Sequence, residues 1–229
     1  MDVELFLRDR TAFIKHYYDE AIAPFSETMQ KVTDGVPPFV PPPFDPDTMS
    51  GEPAFLEEWE RAHTGFQVVG QTCVSMLSES LKIFFVTHEK NAGLDFEKLW
   101  GSKIFSKGFI RGYQTSFARI GVDWSKCPAD FSILEQVVLA RNASQHATSV
   151  TSTRVNHDVG TLSKHPSPLF VSSYEMNLLA SRGGSWMVPP AVYVTRDALH
   201  QAAGEIEKLA EWMSTINFRA LLKAQKATP

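Results

Sequence analysis

Two apolar seams limit what this chain can become. Phe55, Trp59, Ala62, Phe66, Val69, Cys73 and Met76 advance by steps of 4, 3, 4, 3, 4 and 3. Leu199, Ala202, Ile206, Leu209, Met213, Ile216 and Ala220 advance by 3, 4, 3, 4, 3 and 4. Alternating threes and fours keep a stripe on one side of an α-helix, and an apolar stripe needs an apolar partner. The chain is therefore expected to be all-α, an antiparallel helical bundle whose spine is these two long helices. Trp59, Phe66, Val69 and Met76 are expected to face Leu199, Ile206, Leu209 and Met213.

Local punctuation sets the other elements. Leu5, Phe6, Phe13, Ile14 and Tyr17 predict a helix from Leu5 to about Lys31, stopped at Asp34-Gly35 by a left-handed glycine cap. Six prolines in the eleven residues 36–46 forbid helix and favour extended backbone. Such a stretch can serve as a ligand for an aromatic groove or lie as a stiff strap over the core; the interleaved Phe39, Val40 and Phe44 favour the strap. A long helix follows from Glu52 to about Glu89. A third carries Phe109, Ile110, Tyr113, Phe117 and Ile120 on one face and stops at Gly121. The fourth opens at Ser132-Ile133-Leu134-Glu135, read as a capping box. Residues 148–190 read as irregular, residues 191–194 as a short strand, and Thr195 as the N-cap of the last helix. That makes about five helices. By composition, residues 1–50 form an N-terminal helix and proline-rich strap, and residues 51–229 the helical domain.

Composition narrows the function. With 43% apolar residues in 229, a core can form without staples. Lys plus Arg total 22 against 26 for Asp plus Glu, a net charge of −4, which excludes coating nucleic acid by bulk positive charge while allowing a local basic groove. Cys73 and Cys127 are the only cysteines and are far apart, so neither a cysteine zinc site nor a disulfide scaffold is expected. Met1-Asp2-Val3-Glu4 lacks the positive start of a signal peptide, and no apolar run is long enough to span a membrane. A cytoplasmic protein is expected. No P-loop, G-x-G-x-x-G, G-x-S-x-G or H-E-x-x-H motif occurs. His157, Asp158 and His165 share one loop, but no second close ligand cluster accompanies them; neither a metal nor a cofactor is expected.

The informative stretch is Leu139-Ala140-Arg141-Asn142-Ala143-Ser144-Gln145-His146. At about 100° per residue, with Arg141 at zero, Gln145 falls near ~40°, Asn142 near ~100° and His146 near ~140°. Four hydrogen-bonding side chains thus share less than half of the circumference. Leu134, Val137, Val138 and Leu139 spread round nearly all sides of the same helix, which marks it as buried. Polar groups at the end of a buried helix are costly unless paired with each other or with a ligand. Two readings follow: a helix end emerging into solvent, where Arg and His suit the macrodipole, or a site.

Arg141-Asn142-x-x-x-His146 resembles the R-x(4–6)-H signature of the HEPN superfamily, α-helical domains of many RNases and toxin or phage-defence systems. The likeness includes the polar residue after the Arg. It also includes the motif's place, after two or three bundle helices and before a loop and a final long helix. It covers roughly residues 52–220. The resemblance implies a metal-independent endoribonuclease with a site composed across the twofold axis of a homodimer. His146 would be the general acid or base, Arg141 would stabilise transition-state charge, and Asn142 would orient the imidazole or bind the scissile phosphate. RNA is then the substrate, and an antitoxin or regulatory protein is a candidate partner. Thr148 stands where the toxin branch usually has Tyr, which leaves that branch's Tyr-based regulation without its residue. A non-catalytic HEPN-like dimerisation or ligand-binding module is the alternative.

Between Lys98 and Lys126 lie six basic residues, Lys98, Lys103, Lys107, Arg111, Arg119 and Lys126, against one acidic residue, Asp123. With Trp100, Phe105, Tyr113 and Trp124 interleaved, this segment reads either as a surface that tracks phosphates and stacks bases or as a solvated face over an aromatic core. Gln145, Lys103, Lys107 and Arg111 are the candidate substrate-binding residues.

Overall fold

The computed structural model describes residues 2–43, 51–145, 154–181 and 189–227. Among them the chain is all-α, as the seams require. The helices are α1 (Val3–Asp34), α2 (Leu56–Asn91), α3 (Phe96–Trp100), α4 (Phe109–Arg119), α5 (Phe131–Gln145), α6 (Val159–Lys164), α7 (Ser173–Ser181), α8 (Arg196–Ser214) and α9 (Phe218–Ala227), with 3-10 turns at Ser102–Phe105 and Trp124–Lys126. Nine helices thus stand where about five were expected; α3, α6, α7 and α9 are the short ones that periodicity does not resolve.

The spine differs from the expected one. α2 packs chiefly along α1 on one side and α5 on the other, while α8 closes the bundle against α1 and α5. Arg10 Nε donates to Ser80 Oγ at 3.1 Å, and Tyr18 meets Phe66 edge-on, so α1 and α2 run antiparallel. Arg8 pairs with Glu211, Lys15 with Glu207 and Asp19 with Arg196, so α8 is antiparallel to α1 as well. Leu7, Ile14 and Tyr18 of α1 belong to the same buried cluster as α2, α4, α5 and α8. On α2 the buried line runs through Phe66, Gly70, Cys73, Val74, Leu77 and Leu81, while Trp59, Val69 and Met76 are only half-buried. The reason is that α2 has neighbours on two sides, so its core stripe is wider than a single seam.

The helix ends follow capping chemistry. Gly35, at φ 62°, closes α1 with its N–H on the carbonyls of Lys31 and Val32. Thr195 caps α8 by accepting from the Ala198 N–H. The fourth long helix does not open on a Ser132 capping box. Asp130 accepts from the Ser132 N–H at 2.8 Å, which places Ser132 inside α5. A serine cap lies instead at Ser172, whose hydroxyl accepts from the Glu175 N–H and donates to the Glu175 carboxylate, opening α7. The last seam does not continue to Ala220. Asn217 Oδ1 accepts from the Ala220 N–H and starts α9, leaving Ile216 half-buried and Ala220 exposed.

The expected strand at residues 191–194 is an extended segment with one antiparallel bridge, Ala191 to Asn156. Val192 N–H reaches Val155 O and Tyr193 N–H reaches Phe170 O, so loops rather than a neighbouring strand satisfy its backbone. Val192 and Val194 of this segment are buried. The described part of the proline-rich stretch is non-helical, and Phe39 packs edge-on against Phe55. Phe44 and Pro46 lie outside the described residues.

Candidate functional site

α5 carries the residues singled out by the sequence. Its buried side presents Ile133, Leu134, Gln136, Val137 and Ala140. Val138 and Leu139 are half-buried and face a cleft, so the helix is not enclosed all round as expected; a concavity replaces the missing neighbour on that side. The cleft holds about 530 Å³ between the start of α4, the outer side of α5 and the end of α6. Phe109, Ile110, Phe131, Val138 and Leu139 supply its apolar surface; Lys107, Arg111, Gln114, Ser132, Glu135, Asn142, Lys164 and His165 supply its polar groups.

The sequence candidates distribute unevenly over this geometry. Asn142, Lys107 and Arg111 line the cleft together. Arg141 is half-buried beside it, and its Nη1 donates to Asn142 Oδ1 at 3.1 Å. Lys103 sits exposed on the 3-10 turn before α4, and Gln145 is exposed at the end of α5; neither lines the cleft. His146 lies outside the described residues.

The aromatic residues of the basic segment turn inward rather than offering stacking faces. Tyr113 is buried against Phe85 and Phe105, and its hydroxyl donates to Glu89. Trp124 packs on Phe117 and Trp212 and donates its indole N–H to the Gln114 carbonyl. Arg119 lies over the Trp100 ring at 5.2 Å. What remains for a ligand is the pair of cations at the cleft, Lys107 and Arg111. α4 starts there on Gly108 without a side-chain cap, so its first-turn N–H groups border the same space and favour an anion.

Four further cleft residues were not joined into a site by the sequence: Ser132 and Glu135 read as a helix cap, His165 as a loop histidine, and Lys164 was not singled out. Lys164 Nζ bonds Glu135 Oε1 at 2.8 Å, and His165 Nε2 lies 3.4 Å from Glu135 Oε2. Burial raises the affinity of the Glu135 carboxyl for its proton, but Lys164 and His165 outweigh it and hold the group below the ordinary carboxylate range. His165 stands 33 residues from Ser132 across a loop, so no local spacing announces their meeting. His157, the other loop histidine, faces Phe170 O at 2.9 Å through Nε2. Among the described residues no group of three or more His, Cys, Asp or Glu is placed to hold a metal ion. No helix among them is long and apolar enough to cross a membrane.

Compared with known proteins, the chain matches no family model, no curated protein and no solved structure.

Proposed function

We propose that the cleft between α4 and α5 binds RNA and that the chain cuts it without a metal, as a HEPN-type endoribonuclease of the kind found in defence systems. One observation carries this reading. The Arg141 guanidinium is bonded to Asn142, and Asn142 shares its cleft with Lys107 and Arg111. A planar cation beside a cationic cleft suits a phosphodiester, with Lys107, Arg111 and the α4 N–H groups on flanking phosphates.

In this reading His146 accepts the proton of the ribose 2′-hydroxyl as that oxygen attacks the adjacent phosphorus. Arg141 stabilises the negative charge on the phosphorane-like transition state, and the leaving 5′-oxygen takes up a proton. The products are a 2′,3′-cyclic phosphate and a 5′-hydroxyl. Asn142 positions the Arg141 fork. A second copy of the chain supplies a second Arg and His, since one such pair is a thin acid–base set.

The test is RNA cleavage in the presence of EDTA by wild type, Arg141→Ala and His146→Ala. Both substitutions should lower the rate by ~10²-fold or more while the fold and assembly persist. DNA, which lacks the nucleophilic hydroxyl, should not be cut. Undiminished cleavage in both variants removes the mechanism; a folded protein inert on RNA favours a non-catalytic binding module.

A further inference from the structure

At the opposite end of the same cleft a chain of polar contacts surrounds one histidine. It begins at the backbone. Leu169 N–H donates to Gln136 Oε1 at 2.7 Å, so the Gln136 amide has its oxygen toward Leu169 and its Nε2 toward Ser132. Gln136 Nε2 then donates to Ser132 Oγ at 3.4 Å. Ser132 Oγ lies 3.2 Å from His165 Nδ1, and with Gln136 on one lone pair the hydroxyl keeps its hydrogen available for that nitrogen. With the hydroxyl donating to Nδ1, His165 carries its proton on Nε2, a buried atom that lies 3.4 Å from Glu135 Oε2, within ion-pair reach but out of hydrogen-bond alignment. Glu135 is in turn held as a carboxylate by Lys164.

Exposure runs in the order that chemistry needs. Ser132 is exposed to the cleft, His165 is 9% exposed behind it, and Glu135 is partly covered. An accessible hydroxyl, a buried imidazole positioned to take its proton, and a carboxylate on the far ring nitrogen are the three roles of a nucleophile relay, which is recognised by geometry and not by fold. We propose that Ser132, His165 and Glu135 form such a relay and that it hydrolyses carboxylic esters carrying an anionic group, with Ser132 Oγ as the attacking atom.

The step balances with water as the second reactant. Ser132 Oγ bonds to the ester carbonyl carbon while its proton moves to His165 Nδ1. The carbon–oxygen bond to the alcohol then breaks, and the alkoxide takes that proton and leaves as an alcohol. Water gives a proton to Nδ1 and its oxygen attacks the acyl carbon. The proton returns to Ser132 Oγ as the acid departs. Glu135 is a positioning residue that acts by charge, its carboxylate 3.4 Å from Nε2 stabilising the transient imidazolium. The first-turn N–H groups of α4 border the cleft and supply donors for the carbonyl oxygen as it gains charge. Lys107 and Arg111, with no carboxylate partner among the described residues, set the preference for an anionic substrate. The proposal does not depend on RNA cleavage, since ten residues of α5, about 15 Å, separate Ser132 from Asn142.

The test is covalent capture of the full chain by a fluorophosphonate probe, followed by intact mass measurement and peptide mapping. The expected result is one adduct, on Ser132, lost in Ser132→Ala, an exposed substitution that leaves the core untouched. Capture should slow at least ~10-fold in Glu135→Gln and recover in part in Glu135→Asp, a rescue that a purely structural ion pair would not produce. p-Nitrophenyl hydrogen succinate should be hydrolysed faster than p-nitrophenyl acetate, and Lys107→Ala with Arg111→Ala should erase the difference. A wild-type protein that takes no adduct, or an adduct that persists in Ser132→Ala, overturns the relay. Equal rates on the two esters overturn the substrate assignment.

Discussion

Tyr18 Oη donates to the Val194 carbonyl at 2.7 Å inside the fully buried interior, tying α1 to the extended segment that leads into α8. Burial is the main reason that the phenol holds its proton well above the ordinary tyrosine range, and Tyr193 and Cys73 add to it. Removing the hydroxyl strands a carbonyl that loops and helices do not otherwise reach. Tyr18→Phe should therefore cost about 1–3 kcal/mol, read as a lower midpoint of urea unfolding at unchanged slope.

The crossing of α2 with that same segment depends on a missing side chain. A Cβ built at Gly70 would lie 2.7 Å from Val194 Cβ, an atom fixed to the backbone and unable to swing aside. Gly70→Ala gains helix propensity yet should destabilise the fold by about 1–3 kcal/mol through overpacking, and the double variant with Val194→Ala should recover part of the loss. Thermal or urea unfolding of the four proteins closes the cycle. A stabilised single variant would show that α2 can move away at no cost.

Acid should weaken the fold through two histidines. Desolvation moves His88, set between Phe84 and Phe218, from 6.5 to about 4, and burial lowers His157 despite its contact with Phe170 O. The folded chain binds these protons less readily than the unfolded chain. Stability from His88 is full above about pH 6.5 and is lost as pH falls through that value toward about 4. His88→Leu should flatten the fall of melting temperature across this window. An identical pH profile in the variant would place the acid sensitivity elsewhere.

Binding of single-stranded RNA should report the two cleft cations directly. Each phosphate they neutralise contributes about −0.7 to the slope of log affinity against log salt. Lys107→Ala with Arg111→Ala should therefore make the slope shallower by ~1 to 1.5, whereas Lys103→Ala, outside the cleft, should leave it within error. Fluorescence anisotropy over a salt series measures this. Equal losses at all three positions would indicate diffuse attraction instead of a cleft.

Much of the fold was legible because helices are local objects. The Gly35 cap, the Thr195 cap, the Gly121 stop and the face shared by Ile110, Tyr113 and Phe117 depend on residues within a turn or two of each other. The short helices α6 and α7 were not read, although Asp158 and Ser172 carry ordinary capping signals, because neither segment is long enough to display a period. Arg141 and Asn142 were legible as a pair because they are adjacent, and the contact between them is a property of one helix.

The sequence by itself determined that this chain is a helical bundle with seams through Phe66 and Leu209, since periodicity and caps act over a few residues. Only the tertiary structure decided that α1 is the chief partner of α2. Nothing local tells one apolar stripe which other stripe will bury it. The same limit applies to the cleft. Ser132 meets His165 and Gln136 meets Leu169, each 33 residues away, through hydrogen bonds that exist only once the loop after α5 has folded back onto it. Such contacts are set by chain return and packing, whose free energy belongs to the whole bundle and leaves no mark on the spacing of residues.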